Sequence, residues 1–400
     1  MTWLALVESN TTGSGRQFCR AARELGLRPV VLTTGPGRYP YLTEDEVDHL
    51  VLDTGDPEAV LAACRELKAG EGLAGITSSS EYFIATAAEA AQRLGLPAPD
   101  AQALTRCRHK DRQRAALAAA GVAVPGHRAV TKASAAREAA ELLGCPVVVK
   151  PTTGSGSVGV RLCTGPAEAA EAAAALLEAP RDERGRARPR LVLVERYVEG
   201  PEYSVETFDD TVVGVVAKHL GPTPYFVERG HDFPAPAAPP ELARTALRAL
   251  KALGLGWGPA HTELRCGTAG PVVIEVNPRL AGGMIPALVQ RAAGVDLVAA
   301  TVARAVGHRV AVEPGWQAHA SIRFALAGRA GTVTAVHGLE TARDMPGVEL
   351  AELTVAPGVR VELTRSFRDR FGYAVATGPD AATAADRAER AAARLDITCA

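Results

Sequence analysis

The chain has 400 residues, more than one hydrophobic core usually organises, so two to four subdomains are expected. The net charge of −1 gives no reason to expect nucleic acid or an anionic membrane as a partner. The seven cysteines include no C-x-x-C pair, so neither a zinc site nor a disulfide framework is indicated. No basic leader and no run of about 18 apolar residues occur, which predicts a cytoplasmic protein without a membrane span.

The first hundred residues alternate short apolar runs with helical patterns, which predicts a parallel sheet with helices on both faces. A glycine turn at Gly13 and Gly15 is compatible with a dinucleotide site, but it lacks the third glycine of that motif. Ser80 and Glu81 lie at the predicted C-terminal end of a strand, where open α/β sheets bind ligands. They are interpreted as substrate contacts, with helix capping by serine as the alternative.

The next segment is predicted to be helical from Asp100 through Ala120, and Lys110, taken alone, is typical of a surface lysine. A strand of buried type ends at Lys150 and continues into the glycine loop Gly154–Gly159. Backbone N–H groups of such a loop can surround phosphate oxygens, although the spacing also matches G-x-G-x-x-G. Because Val158–Leu162 is predicted to be a strand rather than a helix, a hairpin lid is favoured over a dinucleotide-binding turn.

Polar residues also alternate along a predicted strand that follows the turn at 200–201. Glu202, Ser204 and Glu206 share one face of it, which is compatible with a binding surface or with a solvent-facing strand. Glu228 and His231 follow in an irregular, proline-bounded loop, and such loops often carry binding groups.

The stretch His261–Gly283 organises the predicted site. Two strand-like runs flank a turn-forming cluster, so a β-hairpin is predicted, with Glu263 roughly opposite Glu275. Asn277 shares the face of Glu275 because side chains two apart in a strand point the same way. A single glutamate is more often solvated, but two carboxylates and an amide on buried-type strands need partners, and these oxygen ligands suit Mg²⁺.

Arg279 follows this hairpin and opens a turn that contains Gly282 and Gly283, where a planar guanidinium could hold a phosphate or carboxylate. Helices are predicted over Glu241–Leu253 before the hairpin and over Leu288–Val306 after it, and after Pro314 the pattern predicts short strands and a final helix, Asp380 to Leu395. That segment is interpreted as a small α+β module with no cluster of residues that suggests chemistry.

Taken together, these motifs resemble the ATP-grasp superfamily over essentially the whole chain. The residues that carry the resemblance are Lys150 before the glycine loop, the strand end Glu195 to Val198, Glu263 with Glu275-x-Asn277, and Arg279. N-P-R-L-A-G-G together with Glu228-Arg229-Gly230-His231 is similar to ligases that join two amino acids. The N-terminal V-E-S-N-T-T-G-S-G resembles ATP-grasp ligases of natural-product and siderophore pathways.

The resemblance implies a mixed α/β and α+β fold in four units. Residues 1–104 would form a Rossmann-like pre-ATP-grasp domain with a parallel sheet, and residues 105–194 a lid subdomain with the glycine loop. Residues 195–312 would form the large subdomain, whose antiparallel sheet carries the metal site, and residues 313–400 the C-terminal α+β module.

The resemblance also implies roles for individual residues. Arg279 and Lys150 would be catalytic, with Arg279 stabilising an acyl phosphate, and Lys218 would face the γ-phosphate. Two Mg²⁺ ions, replaceable by Mn²⁺, would bind Glu263, Glu275 and Asn277. The ATP-binding residues would be Lys110, Lys150, Gly154, Ser155, Gly156, Ser157, Gly159, Glu195, Tyr197, Val198 and Glu202. The substrate-binding residues would be Glu228, His231, Arg279, Gly282, Gly283, Ser80 and Glu81.

The implied activity is that of an ADP-forming carboxylate–amine ligase that joins two amino acids, with glutamate as one plausible activated acid. Its partners would be small amino-acid substrates, and a homodimer is the default expectation. Three alternatives remain: an ATP-grasp ligase for bicarbonate or a nucleotide precursor, a nicotinamide-dependent oxidoreductase that uses the glycine turns, and a non-catalytic nucleotide-binding module.

Overall fold

A computed structural model describes residues 1–10, 14–182, 185–315 and 317–400. The predicted glycine turn at Gly13 therefore lies in part outside the described residues. In the parts described, four β-sheets are packed with helices, which confirms the predicted mixture of α/β and α+β structure.

The N-terminal unit is a parallel sheet of strand order β3-β2-β1-β4, as the alternation of apolar runs and helical patterns predicts. Leu4, Val31 and Leu32 lie in its buried strands. The elements are β1 (Trp3–Val7), α1 (Ser14–Glu24), β2 (Arg28–Thr33), α2 (Tyr41–Glu44), β3 (Asp48–Val51), α3 (Pro57–Ala69), β4 (Leu73–Thr77) and α4 (Ile84–Arg93).

The second unit contains an antiparallel sheet of order β5-β8-β6-β7. Two helices of alanine-rich sequence cover it, with Ala136, Ala140 and Ala169 fully buried. The elements are α5 (Ala101–Arg108), α6 (Lys110–Ala119), β5 (His127–Val130), α7 (Ala133–Leu143), β6 (Val147–Pro151), β7 (Arg161–Cys163), α8 (Pro166–Glu178) and β8 (Val192–Arg196).

The third unit supplies five strands and three helices. Helix α9 covers the same range that the sequence pattern predicts, and it ends at Gly254 in the left-handed conformation that favours glycine. The elements are β9 (Glu202–Phe208), β10 (Thr211–Leu220), β11 (Glu228–Phe233), α9 (Glu241–Leu253), β12 (Pro259–Gly267), β13 (Gly270–Asn277), α10 (Ile285–Ala293) and α11 (Leu297–Ala305).

The strands of the C-terminal segment are divided between two sheets, and three of them extend the central sheet. That antiparallel sheet has the order β13-β12-β9-β10-β11-β14-β18-β16, and a separate sheet has the order β17-β15-β19. The elements are β14 (His319–Leu326), β15 (Gly331–His337), α12 (Leu339–Arg343), β16 (Val348–Leu353), β17 (Arg360–Val361), β18 (Arg370–Gly378), α13 (Ala381–Ala392) and β19 (Asp396–Cys399).

Three predicted elements differ from the structure. The helix expected over residues 100–120 is broken at His109, whose extended backbone (φ −94°, ψ 102°) separates α5 from α6. The helix expected over residues 288–306 is two helices, because Gly294 ends α10 and Asp296 caps α11 through the N–H groups of residues 298 and 299. Glu228 and His231, expected in an irregular loop, lie in strand β11.

The described helices are short relative to a lipid bilayer. None is individually long and apolar enough to cross a bilayer, and one pair, α10 with α11, meets the length and composition criteria only as a unit bent by 106°.

Candidate active site

The β12–β13 hairpin brings the predicted metal ligands together. Glu263 pairs directly with Glu275 in the register, and His261 pairs with Asn277. Asn277 therefore lies on the same face as Glu275, as the two-residue period requires. Leu264 and Val276 are fully buried, so this hairpin belongs to the core rather than to a solvated edge.

Lys218 on β10 gathers three carboxylates. Its Nζ lies 3.0 Å from Glu263, 2.8 Å from Glu202 and 3.0 Å from Glu228. Burial disfavours the ammonium, but the three carboxylates outweigh it and raise the pKa of Lys218 well above its usual value. The face shared by Glu202, Ser204 and Glu206 is accordingly buried, so the solvent-facing interpretation of this strand is wrong.

The second carboxylate of the hairpin is held by a different lysine. Lys110 Nζ lies 2.9 Å from Glu275 and donates to the carbonyl of Gly154 at 2.8 Å. Lys110 is only 6% exposed, so the interpretation of it as a surface lysine is wrong: the break at His109 places it at the start of α6, facing inwards. Lys110 thus links Glu275, a predicted metal ligand, to the glycine loop.

Lys150 belongs to a buried ionic cluster beneath the loop. The carboxylate of Glu195 lies 2.5 Å from Lys150 and 2.5 Å from Arg114. Burial opposes ionisation of Glu195, but the two cations outweigh it and lower the pKa of that carboxylate. Burial also lowers the pKa of Lys150, against the attraction of Glu195. Because both cations hold its carboxylate, any contact of Glu195 with adenine stays a prediction.

The loop between β6 and β7 adopts glycine-specific geometry. Gly154, Gly156 and Gly159 have φ values of 127°, 62° and 75°, which L side chains rarely adopt. The loop is followed by β7, which pairs antiparallel with β6, so it forms a hairpin rather than a strand–turn–helix. The strand begins at Arg161, three residues later than predicted, but the predicted hairpin is confirmed; its role as a lid stays a prediction.

Tyr197, Phe226 and Arg265 form an aromatic and cationic wall of the space that the glycine loop also lines. Arg265 donates to the Tyr197 hydroxyl at 2.9 Å and to the Val198 carbonyl at 3.1 Å, and it pairs with Glu202 at 2.9 Å. The rings of Tyr197 and Phe226 lie 6.4 Å apart. This wall has the flat, partly apolar character suited to a nucleoside.

One cavity of about 170 Å³ unites most of the predicted residues. Gly159 and His231 do not line it, and Ser80 and Glu81 line a neighbouring cleft of about 1240 Å³. The predicted residues on the cavity wall are Lys110, Lys150, Gly154, Ser155, Gly156, Ser157, Glu195, Tyr197, Val198, Glu202, Glu228, Glu263, Glu275, Asn277, Arg279, Gly282 and Gly283. Arg279, Gly282 and Gly283 line both spaces, so the cavity opens onto the cleft there.

Arg279 is held by the N-terminal unit. Its Nε donates to Glu81 at 2.8 Å, its Nη2 donates to the same carboxylate oxygen, and its Nη1 donates to the Leu280 carbonyl. The prediction that Ser80 and Glu81 meet the substrate is untested, but Glu81 has a clear structural contact: it orients Arg279 at the junction of the two spaces.

Glu228 lines the cavity, and His231 lies beside it, with its Nε2 3.6 Å from the Glu228 carboxylate. His231 is fully buried, and neither ring nitrogen has a hydrogen-bond partner among the residues that the structure describes. Burial lowers the pKa of His231 to about 3 despite nearby Glu228, so the ring is neutral near pH 7. Gly283 has a φ of 59°, and a Cβ there would lie 2.5 Å from His231 Nε2, so only glycine packs against the ring.

Two further cationic residues reach the site without an obvious sequence pattern. Arg114, fully buried, contacts Glu195 and the Ile274 carbonyl, and Arg370 on β18 lies 2.9 Å from Glu228. The prediction that the C-terminal segment contributes no chemical cluster is therefore wrong. Lys218, in contrast, could be expected near the γ-phosphate from the resemblance to the ATP-grasp superfamily.

The hairpin residues suit a hard cation. Across the described residues no group of three or more His, Cys, Asp and Glu side chains could hold a metal, so Asn277 and substrate oxygens would complete the set. Burial, together with Glu202, Glu275 and Glu228, raises the pKa of Glu263 to about 6 even beside Lys218. That uncompensated negative charge is what a divalent cation would neutralise.

Comparison with known proteins places this geometry in a family. An ATP-grasp domain model matches residues 143–287, an ATP-grasp N-terminal domain model matches residues 19–98, and a model of L-amino acid ligase C-terminal domain 2 matches residues 323–400. An uncharacterized protein of Sinorhizobium fredii, y4rH, is 39% identical over 98% of this chain and 82% of its own length. The chain belongs to the ATP-grasp superfamily.

Within the ATP-grasp superfamily, the chain is related to amino-acid ligases that form C–N bonds. The alanine–anticapsin ligase of Bacillus subtilis is 29% identical over 56% of this chain, which spans about half (52%) of that relative. The L-amino acid ligase of Bacillus licheniformis shares the fold, with a TM-score of 0.83 at 22% identity, over 100% of this chain and 99% of that one. These findings confirm the predicted ATP-grasp fold and ligase class.

Proposed function

We propose that this ATP-grasp ligase activates the carboxylate of one amino acid as an acyl phosphate and joins it to the amine of a second. The observation that carries the proposal is the junction at Arg279 and Gly283. There, the cavity that contains the glycine loop and the paired carboxylates of Glu263 and Glu275 opens onto a cleft large enough for two small substrates. A dipeptide or a γ-glutamyl amide, made in natural-product biosynthesis, is the product class we infer.

The nucleotide would lie between the lid hairpin and the central sheet. Lys110 and Lys150 are placed to meet phosphate oxygens under the backbone of Gly154–Gly159, and Tyr197 and Val198 to border the base. Glu263, Glu275 and Asn277 would hold two Mg²⁺ ions, or Mn²⁺ in their place, which when bound neutralise charge on the transferring phosphoryl group. Bound cations would compete with Lys218 and Lys110 for the two glutamates.

The first step would transfer a phosphoryl group. A carboxylate oxygen of the acid attacks the γ-phosphorus of ATP, the bond to the β-phosphate oxygen breaks, and ADP leaves. Arg279 would stabilise the charge on the acyl phosphate, with Glu81 keeping its guanidinium oriented. The free amine of the second substrate then attacks the acyl carbon, inorganic phosphate leaves, and the ammonium proton passes to solvent or a base.

The substrate side would depend on Glu228 and the neutral His231. Glu228 is ionised, because Lys218 and Arg370 outweigh the effect of burial and hold the pKa of its carboxyl well below the usual range. An anionic carboxylate beside an unpartnered imidazole can bind an ammonium group of an amino acid. A ligand ammonium there would also fill the hydrogen-bonding capacity of His231.

The test is release of ADP and phosphate with Mg·ATP across single amino acids and pairs, with the product identified by mass. Release that requires a particular pair, with an amide product, is the expected result. Glu275→Gln should lower this release by about 10²-fold or more, whereas Glu178→Gln, on the exposed end of α8, is the matched control and should not. Tight ATP binding without release for any pair would contradict amino-acid ligation and favour other carboxylates or a binding module.

A further inference from the structure

A rigid turn of the C-terminal segment lies against the nucleotide cavity. It runs from Thr364 to Arg370 and includes the short 3-10 helix Phe367–Asp369. Asp369, only 6% exposed, accepts hydrogen bonds from Thr364 N at 2.7 Å, Thr364 Oγ1 at 2.7 Å and Arg365 N at 2.8 Å. These bonds fix the turn internally, so its outward side chains are presented in a defined geometry.

The tip of the glycine loop rests on this turn. The N–H of Phe367 donates to the carbonyl of Gly156 at 3.2 Å. A Cβ on Gly156 would lie 2.2 Å from the Phe367 ring, so the loop backbone and the ring are in direct contact. This contact joins the second unit of the chain to the C-terminal unit across the mouth of the cavity.

The same turn reaches the substrate side through Arg370. Its Nε donates to the Phe367 carbonyl at 3.2 Å, and its Nη1 lies 2.9 Å from Glu228. The guanidinium also lies over the Phe324 ring, 4.4 Å from the centroid. Arg370 lines both the cavity and the cleft, so it stands at their boundary.

We propose that Phe367 and Arg370 are positioning residues that couple closure of the glycine loop to the arrangement of Glu228 on the substrate side. The proposal rests on the proposed function, because the purpose of this coupling would be to form the acyl phosphate only when the site is closed. When Gly156 rests on Phe367, the carbonyl of Phe367 and the ring of Phe324 hold Arg370 against Glu228. When the loop lifts, the Phe367 ring loses its contact with Gly156 and water reaches the cavity.

The first test measures the loop itself and needs no turnover. Hydrogen exchange of the amides of residues 154–159 is compared in wild type and Phe367→Ala, without ligand and with a non-hydrolysable ATP analogue plus Mg²⁺. In Phe367→Ala we expect exchange of the loop at least about tenfold faster, with β5 and β8 unchanged. Loop exchange equal to that of wild type would overturn the coupling.

The second test separates contact from simple destabilisation. Gly156→Ala brings a methyl group into the Phe367 ring, so it should lower ATP affinity more in wild type than in the Phe367→Ala background. A coupling of at least about threefold between the two changes is expected, since the residues touch. Strictly multiplicative effects would overturn the proposal, because Gly156 would then be required only for its backbone conformation.

The third test asks whether closure protects the intermediate. In Phe367→Ala and Arg370→Ala we expect more ADP released per amide formed, by about threefold or more, because water intercepts the acyl phosphate. Phe367→Leu should restore most of the ratio, and Arg360→Ala, an exposed arginine on β17, is the matched control. An unchanged ratio in both alanine variants would contradict the proposal. If wild type shows no pair-dependent ADP release while the expected difference in hydrogen exchange is observed, the proposed function is contradicted and the coupling is not.

Discussion

Glu263 and Glu275 face each other across the β12–β13 hairpin, yet each is bound by a different lysine. Lys218 lies 3.0 Å from Glu263 and Lys110 lies 2.9 Å from Glu275. One lysine comes from the central sheet and the other from the helix that touches the glycine loop. The paired carboxylates therefore join the two walls of the cavity, which is where the phosphate groups of a nucleotide would need a cation.

Neutralising either carboxylate should weaken metal-dependent turnover. For Glu263→Gln and Glu275→Gln we expect a loss of about 10²-fold or more in kcat, together with a higher Mg²⁺ concentration for half-maximal rate. The rate is measured as ADP release over a Mg²⁺ titration. An unchanged Mg²⁺ dependence in both variants would contradict their assignment as ligands.

Removing the guanidinium of Arg279 should affect chemistry more than nucleotide binding. In Arg279→Ala we expect kcat to fall by about 10²–10³-fold, because a charge-stabilising donor is lost, while ATP affinity changes little. Arg279→Lys should recover only part of the rate, since lysine cannot form the two-pronged contact with Glu81. The two quantities are separated by single-turnover kinetics and calorimetry; equal losses in both would argue for a purely structural residue.

Gly283→Ala should damage the substrate side selectively. Alanine is strained at a φ of 59°, and its methyl group would lie 2.5 Å from His231 Nε2. We expect the KM for the amino-acid substrate to rise by about tenfold or more with smaller change in the KM for ATP. Gly165→Ala, at a position with an ordinary φ and open space around it, is the matched control.

Arg114 should be a stability residue of the site rather than a ligand contact. Its fully buried guanidinium pairs with Glu195, and Arg114→Ala would leave that carboxylate with Lys150 alone. Removing one partner of a buried ion pair lowers the free energy of unfolding by about 3–5 kcal/mol. Chemical denaturation should show that decrease in the free energy of unfolding. A decrease below about 1 kcal/mol, the size of a surface ion pair, would contradict the prediction.

The sequence predicts the hairpin well because its determinants are local. The turn at residues 267–270 and the two-residue period place Glu263 close to Glu275, and a β-bulge between Glu263 and Leu264 sets the direct pair. The glycine loop is predicted for the same reason: its strand–loop–strand order is contiguous. The pattern predicts one helix across the break between α10 and α11, although Gly294 and Asp296 are ordinary ending and capping residues that mark this break.

The rest depends on contacts between distant segments. Arg370 reaches Glu228 only because β14 lies between β11 and β18 in the sheet, a strand order that local patterns do not specify. Lys110 resembles a surface lysine in its basic segment, and only the break at His109 directs it towards Glu275. Arg114 in the same way meets Glu195 through packing between a helix and a strand 81 residues later.

The central claim is that a substrate carboxylate is phosphorylated before the amine attacks. Its most direct test uses the acid substrate with ¹⁸O in the activated carboxylate, Mg·ATP and the amine identified in the panel, with mass analysis of the released phosphate. An acyl-phosphate mechanism predicts inorganic phosphate that carries one ¹⁸O atom for each amide formed, beside unlabelled ADP. Phosphate without ¹⁸O, or ¹⁸O in AMP, would contradict an acyl-phosphate mechanism.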